Sequence, residues 1–210
     1  ILGRHPWVFS GALRQILEGL KSGEPVVLVD EEGRFLAQGY FNSYSQIAVR
    51  LWSWDENDII GENGKDDKNV ERFFEKRISQ AYETRKKFVE NKKTDSYRLI
   101  HSENDLLPGL IVDKYADYLV LQFHTPGMDF WKDKIVAALK KIVKPSGIYE
   151  RSDVRDRRRL ASVIPTEPQG ERRNPLNPDE RDPSVAPLPQ DDKTGLLYGK
   201  IPERVKILEN

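Results

Sequence analysis

The chain contains no cysteine. That excludes a disulfide framework, a thiolate metal site and a thiol nucleophile from these 210 residues. Histidine is scarce too. His5, His101 and His124 are far apart, and none sits in a His/Glu/Asp pattern at ligand spacing, so no metal centre is expected. No run of about 18 apolar residues is present to span a bilayer, and no charged-apolar-small leader opens the sequence. These absences read as a soluble cytoplasmic protein. The lack of an initiator Met reads as a chain that starts within a longer one. No P-loop, G-x-S-x-G motif or glycine-rich strand-to-helix loop occurs. Charge of one sign is also missing: 34 basic residues balance 34 acidic ones. Any surface suited to nucleic acid must therefore come from segregation of charge along the chain.

What is present suits one large or two small domains. Hydrophobic residues make up 38% and charged residues 32%, enough for a core under a well-solvated surface. The mean hydropathy of -0.66 warns of segments that stay outside that core. Residues 97–123 hold three short apolar runs separated by Ser102–Asp105, by Pro108-Gly109 and by Lys114 to Asp117. Such spacing predicts strands of one small sheet joined by tight turns. Before it, residues 1–54 read as a compact all-β unit. It has a hairpin turned at Gly33 and an alternating strand in which Ile47, Val49 and Leu51 share a face. A short helix is expected over 11–19, with Ala12, Leu13, Ile16 and Leu17 facing inward.

Residues 55–68 are rich in acid, Asn and Gly and read as a solvated linker. Residues 70–89 carry the 3.6 period of a helix through Phe74, Ile78, Ala81, Tyr82, Arg85 and Val89. The opposite face of this helix is basic, with Arg72, Lys76, Arg77, Lys86 and Lys87. A second amphipathic helix is expected at 128–143, with Phe130 and Trp131 in its apolar stripe, followed by a strand at 148–150. Strands, helix and strand in this order give an α+β domain with one helix over one sheet face. Residues 160–192 hold seven of the 13 prolines and no aromatic residue. This segment reads as an extended or disordered insertion, because it has too little apolar surface to offset ordering. A last strand pair is expected at 194–198 and 204–208.

Three of these stretches carry a resemblance. Residues 103–123 (ENDLLPGLIVDKYADYLVLQF), 3–13 (GRHPWVFSGAL) and 147–153 (GIYERSD) resemble ribosomal RNA large-subunit methyltransferase I and its relatives. The three matches occur in the family's order. The resemblance implies an S-adenosylmethionine-dependent cytosine-C5 methyltransferase acting on ribosomal RNA. It has an N-terminal PUA domain, a middle domain and then a Rossmann-like catalytic domain. The domains expected here are a PUA-like barrel over 1–68, a basic connecting helix over 69–96 and the α+β middle domain over 97–210. The catalytic Rossmann-like domain is expected to be absent. In the family, attack on the cytosine ring uses a cysteine thiolate, which these residues do not supply. The chain thus reads as an RNA-recognising N-terminal part, inactive alone, with no catalytic, cofactor-binding or metal residue. S-adenosylmethionine is implied for the full-length family, and a C-terminal methyltransferase domain is the implied partner.

The residues singled out for RNA contact are Arg4, His5, Arg50, Arg72, Lys76, Arg77, Lys86, Lys87 and Arg151. Cations beside aromatic rings suit phosphate contact and base stacking. Trp7 and Phe9, which flank Arg4 and His5, read better as barrel core. The basic helix face reads equally as ordinary solvated charge. Glu103 and Asp105 resemble a catalytic carboxylate pair, but acidic residues in a turn commonly accept backbone amides, and turn chemistry is the preferred reading. Two other functions fit the same composition: a stand-alone PUA-type RNA-binding module, and an oligomerisation domain that forms a homodimer.

Overall fold

The fold is that of a computed structural model, which describes residues 3–58, 60, 67–90, 94–152 and 193–199. The alternating N-terminal sequence forms an antiparallel sheet from β1 (Trp7–Phe9), β2 (Pro25–Val29), β3 (Phe35–Phe41) and β4 (Ile47–Ser53), in the order β1-β4-β3-β2. Helix α1 (Asp67–Phe88) follows. A second sheet has the order β5-β6-β7-β8-β9, from β5 (Tyr97–His101), β6 (Leu110–Tyr115), β7 (Tyr118–Phe123), β8 (Gly147–Ser152) and β9 (Lys193–Gly199). Its pairs are antiparallel except β7 with β8. A parallel pair needs a crossover, and α2 (Pro126–Phe130) with α3 (Lys132–Val143) supplies it. The architecture is mixed α+β with two sheets.

Several expectations are corrected. Residues 11–19 do not form a helix: a 3-10 turn over Ser10–Ala12 is all that appears, and Leu17 is 71% exposed. The helix expected over 128–143 is two helices. Thr125 caps α2 by accepting from the Met128 amide, Pro126 occupies the first turn, and Trp131 at φ -96°, ψ 12° separates α2 from α3. The break turns Phe130 outward and keeps Trp131 buried. Two helices, not one, line the second sheet, since α1 packs on α3 and on β5. The insertion at 160–192 and the strand at 204–208 lie outside the described residues, and β9 supplies the first strand of the expected pair.

Burial explains how the sheets are joined. Tyr40 and Trp52 point from the first sheet into a core they share with Phe73, Phe74 and Ile78 of α1. The same core takes in Leu121 and Phe123 of β7 and Trp131 and Ile135. Tilted and edge-to-face ring contacts run Tyr40–Trp52–Phe73–Phe74, with Trp131 on Phe74. The opposite face of the first sheet has a smaller core around Val8, Ala37, Val49 and Leu51.

Candidate functional site

The turn that was expected to do no more than connect strands holds the two sheets together. Residues Ser102–Asp105 form a 3-10 turn. Asp105 accepts the His101 amide at 2.7 Å and receives a bidentate ion pair from Arg85 of α1, both contacts 2.7 Å. Glu103 accepts from the Ser102 hydroxyl and, across the joint, from the Trp7 indole Nε1 at 3.0 Å. The Tyr40 hydroxyl lies 2.8 Å from the Pro108 carbonyl and 2.9 Å from Thr125 Oγ1. Gly109 has φ +86°, and a Cβ there would lie 2.2 Å from Thr125 Oγ1, so backbone conformation and space both select glycine. Both carboxylates therefore serve turn and joint.

Burial pushes the Glu103 carboxyl up, but hydrogen bonds from Ser102 and Trp7 and the nearby Arg50 charge outweigh it. The result lies below the ordinary carboxylate range. Burial pushes the Tyr40 hydroxyl well above the usual phenol range, so it stays protonated.

Beside this joint, exposed polar and aromatic side chains follow one another along the N-terminal segment. Arg4, at φ 51°, and His5 are exposed. Trp7 and Phe9 are not barrel core: they are 40% and 49% exposed. β1 is an edge strand whose Val8 alone turns inward, which leaves its two aromatic neighbours outward. The His5 ring stands edge-on to the Trp7 indole at 5.5 Å and accepts the Trp7 amide at 3.2 Å. Arg50 pairs in register with both Trp7 and Tyr40, and its Nη1 is buried without a hydrogen-bond partner among the described residues. Asn104 reaches the His101 ring at 3.3 Å. Cationic groups beside accessible aromatic faces can hold ligands that combine negative charge with flat rings.

The basic helix is divided by packing. Arg77 is 9% exposed; its Nη2 donates to the Trp52 carbonyl at 3.0 Å and to Asp58 at 3.1 Å. Lys76 is tied to Asp58 at 2.6 Å. Together with Arg72, Lys76 lines a polar cleft of about 180 Å³ that includes Asp55 and Asn69. Lys86 and Lys87 are exposed and lie over the Tyr82 and Phe88 rings at 5.8 and 5.1 Å. Arg151 is exposed on β8, away from the others in sequence. His5 (through Trp7) and Arg50 thus sit at the joint, Arg4 is exposed next to His5 in sequence, Arg72 and Lys76 share the cleft, and Arg77 serves the interior. Sequence reasoning missed the pairing of Trp7 with Glu103 and of Arg85 with Asp105, because each links residues that no spacing rule connects. Among the described residues no His, Asp and Glu cluster could hold a metal ion, and no helix is long and apolar enough to cross a membrane.

The first sheet and its joint define a class: residues 1–54 match the family model of a PUA-like domain. Relatives extend the match to the whole chain. Ribosomal RNA large subunit methyltransferase I of Tolumonas auensis is 32% identical over 209 residues, covering 100% of this chain and 43% of that protein. The protein of that name from Shewanella amazonensis is 37% identical over 206 residues, 98% of this chain and 43% of its own length. The Klebsiella pneumoniae protein is 37% identical over 159 residues, 76% of this chain and 38% of that one. The chain is similar along its length to these ribosomal RNA large subunit methyltransferase I proteins and spans about two fifths of the length of the curated relatives it matches. Among solved structures, a Streptococcus mutans protein assigned as a SAM-dependent methyltransferase matches 98% of this chain and 42% of its own, at TM-score 0.63 and 20% identity. Another, assigned as a methyltransferase and complexed with SAH, covers 98% of this chain and 41% of its own, at TM-score 0.64 and 20% identity. At that identity the likeness speaks for the fold alone.

Proposed function

We propose that these residues form the RNA-recognising part of a SAM-dependent ribosomal RNA methyltransferase. The first sheet contacts RNA, helix α1 (Asp67–Phe88), shorter than the expected 69–96, connects, and the unit over 97–210 sets their geometry. The observation that carries this reading is the exposed cluster of Arg4, His5 and Trp7 on a PUA-like sheet, held against the second sheet through Glu103. Arg4 meets phosphate, while the Trp7 indole, fixed at its Nε1 edge, offers its face to a base. Arg72, Lys76, Lys86 and Lys87 add a second, sequence-independent contact along α1. Arg50 and Arg77 act behind this surface, as supports of Trp7 and of the sheet-helix junction. The expected modification is cytosine C5. No thiolate is available among these residues to attack the ring, so methyl transfer and S-adenosylmethionine binding belong to a Rossmann-like domain that these residues do not provide.

Fluorescence anisotropy with a ribosomal RNA fragment at several salt concentrations tests recognition. Log affinity should fall linearly with log salt as bound phosphates release their counterions. Arg4→Gln should lower the slope by roughly 0.7 to 0.9, the share of one phosphate. Trp7→Leu should weaken binding roughly 5- to 100-fold through lost stacking while leaving the slope unchanged. Salt-insensitive or undetectable RNA binding by the 210-residue chain would overturn the proposal. Calorimetric titration with S-adenosylmethionine checks the second half, and saturable stoichiometric binding would refute it.

A further inference from the structure

The second sheet has two unlike faces. Leu99, Val112, Leu121, Phe123 and Ile148 point into the core beneath α1 and α3. Their strand neighbours point the other way. There, Arg98, His101, Tyr115 and Arg151 are exposed, and Tyr118, Val120, Gln122 and Tyr149 are half-buried. Register groups them: Tyr115 lies opposite Tyr118, and Val120 lies between Asp113 and Tyr149. Tyr115 and Tyr118 flank a two-residue turn at Ala116 and Asp117, where Ala116 takes φ 50°. Three tyrosine rings thus stand on neighbouring strands of one outward face.

The charge on this face differs from that on the helical side. Over the helices, Lys132, Lys134 and Lys141 are each tied to a carboxylate, on Glu150, Glu71 and Glu75. On the outward face Asp113 is held by Arg98 at 2.8 and 3.2 Å, whereas Arg151 forms no ion pair among the described residues. Asp117 is exposed at the hairpin tip, beyond the tyrosines. Among the described residues the unmatched charge within the sheet face is positive, and register places it next to Gln122 and on the same face of β8 as Tyr149. His124 lies 3.1 Å from Gln122. The His101 ring is also the one that Asn104 reaches, next to the Glu103 that holds Trp7, so the face runs up to the joint.

The geometry points to this face as a platform for an unpaired RNA strand, with bases stacked on Tyr115, Tyr118 and Tyr149 and phosphate at Arg151. The inference rests on the RNA recognition proposed above and adds that the strand is single and crosses from the PUA-like unit onto the second sheet. Stacking accepts any base, and a positive side chain beside the rings follows the backbone. A duplex keeps its bases inside and would gain nothing from the tyrosines.

The test is anisotropy of the 210-residue chain with an unstructured RNA of ~10 nucleotides and with a duplex of equal length. The double variant Tyr115→Ser/Tyr118→Ser should weaken single-strand binding roughly 30-fold or more, the share of two stacked bases, with little change in salt slope. Tyr115→Phe/Tyr118→Phe should bind like the parent, and Arg151→Gln should lower the slope by about 0.7. Duplex binding should respond to none of the tyrosine changes. If the Ser variant does not fold, photocrosslinking of the parent to a 4-thiouridine strand decides, with adducts expected at Tyr115, Tyr118 or Tyr149. Unchanged single-strand affinity in the folded Ser variant, or adducts confined to the first sheet, would overturn the platform while leaving RNA recognition intact. Absence of RNA binding by the parent would remove both. Sedimentation showing a dimer that the Ser variant dissolves would assign the face to a second copy and overturn the inference.

Discussion

Glu103 shows how one side chain acquires several duties from packing. It closes its own turn through Ser102, fixes the Trp7 indole of the other sheet, and sits within the field of Arg50. Asp58 plays the matching part at α1, accepting from Ser53, Lys76 and Arg77. Burial raises its pKa, but those hydrogen bonds and charges prevail and bring it below the ordinary value. The direction fixes the sign of the pH dependence. A carboxyl whose pKa is lower folded than unfolded adds stability that is complete above its unfolded value, about 4, and is lost as pH falls through the folded value. Thermal melts from pH 7 downward should therefore show the parent losing stability below about pH 4.5. Glu103→Gln and Asp58→Asn should start lower and decline less steeply. Parallel curves for parent and variants would refute the assignment. The acid-rich turn at 102–105 is legible in the sequence, and Asp105 accepts the His101 amide there. The sequence could not show the indole, because Trp7 and Glu103 are 96 positions apart.

At the scale of elements, periodicity was legible and its environment was not. The helix over 70–89 is α1, and Phe74, Ile78 and Ala81 are buried as its 3.6 period requires. Arg77 counts as polar in any such pattern, yet the Trp52 carbonyl and Asp58 draw it inward. The second helix reads as a single element in sequence because Trp131 and Phe130 are equally apolar, while only the break between α2 and α3 decides which one reaches Phe74. Gly127 marks how closely α2 approaches: a Cβ there would lie 2.3 Å from the Tyr40 ring. Phe74 is fully buried among Trp52, Phe73 and Trp131. Phe74→Ala should accordingly cost about 3–5 kcal/mol, as expected for deleting a buried ring. Urea unfolding measures it, and a loss below about 1 kcal/mol would mean that the aromatic cluster closes over the gap.

The whole molecule has a core that belongs to neither sheet alone. Tyr40 and Trp52 of the first sheet are packed among residues of α1, β7 and α3. The expected consequence is one cooperative transition. Tryptophan fluorescence, with Trp52 and Trp54 in or beside β4 and Trp131 between the helices, should follow the same denaturant curve as far-UV circular dichroism. Separate midpoints would show that the two sheets unfold independently.

Local pattern and composition determined the strand runs of 97–123, the amphipathic α1 and the all-β start over 1–54, because alternation, helical period and turn residues act within a few positions. Sequence also set the absence of a thiolate, since that depends on composition alone. Tertiary structure decided which face each pattern presents and to what. It turned Trp7 outward and Arg77 inward, made the 102–109 loop a joint, and left Tyr115, Tyr118 and Tyr149 on the side of the sheet away from the helices. The physical reason is that a period of two or of 3.6 names a face without naming its partner, and the partner here comes from the other end of the chain.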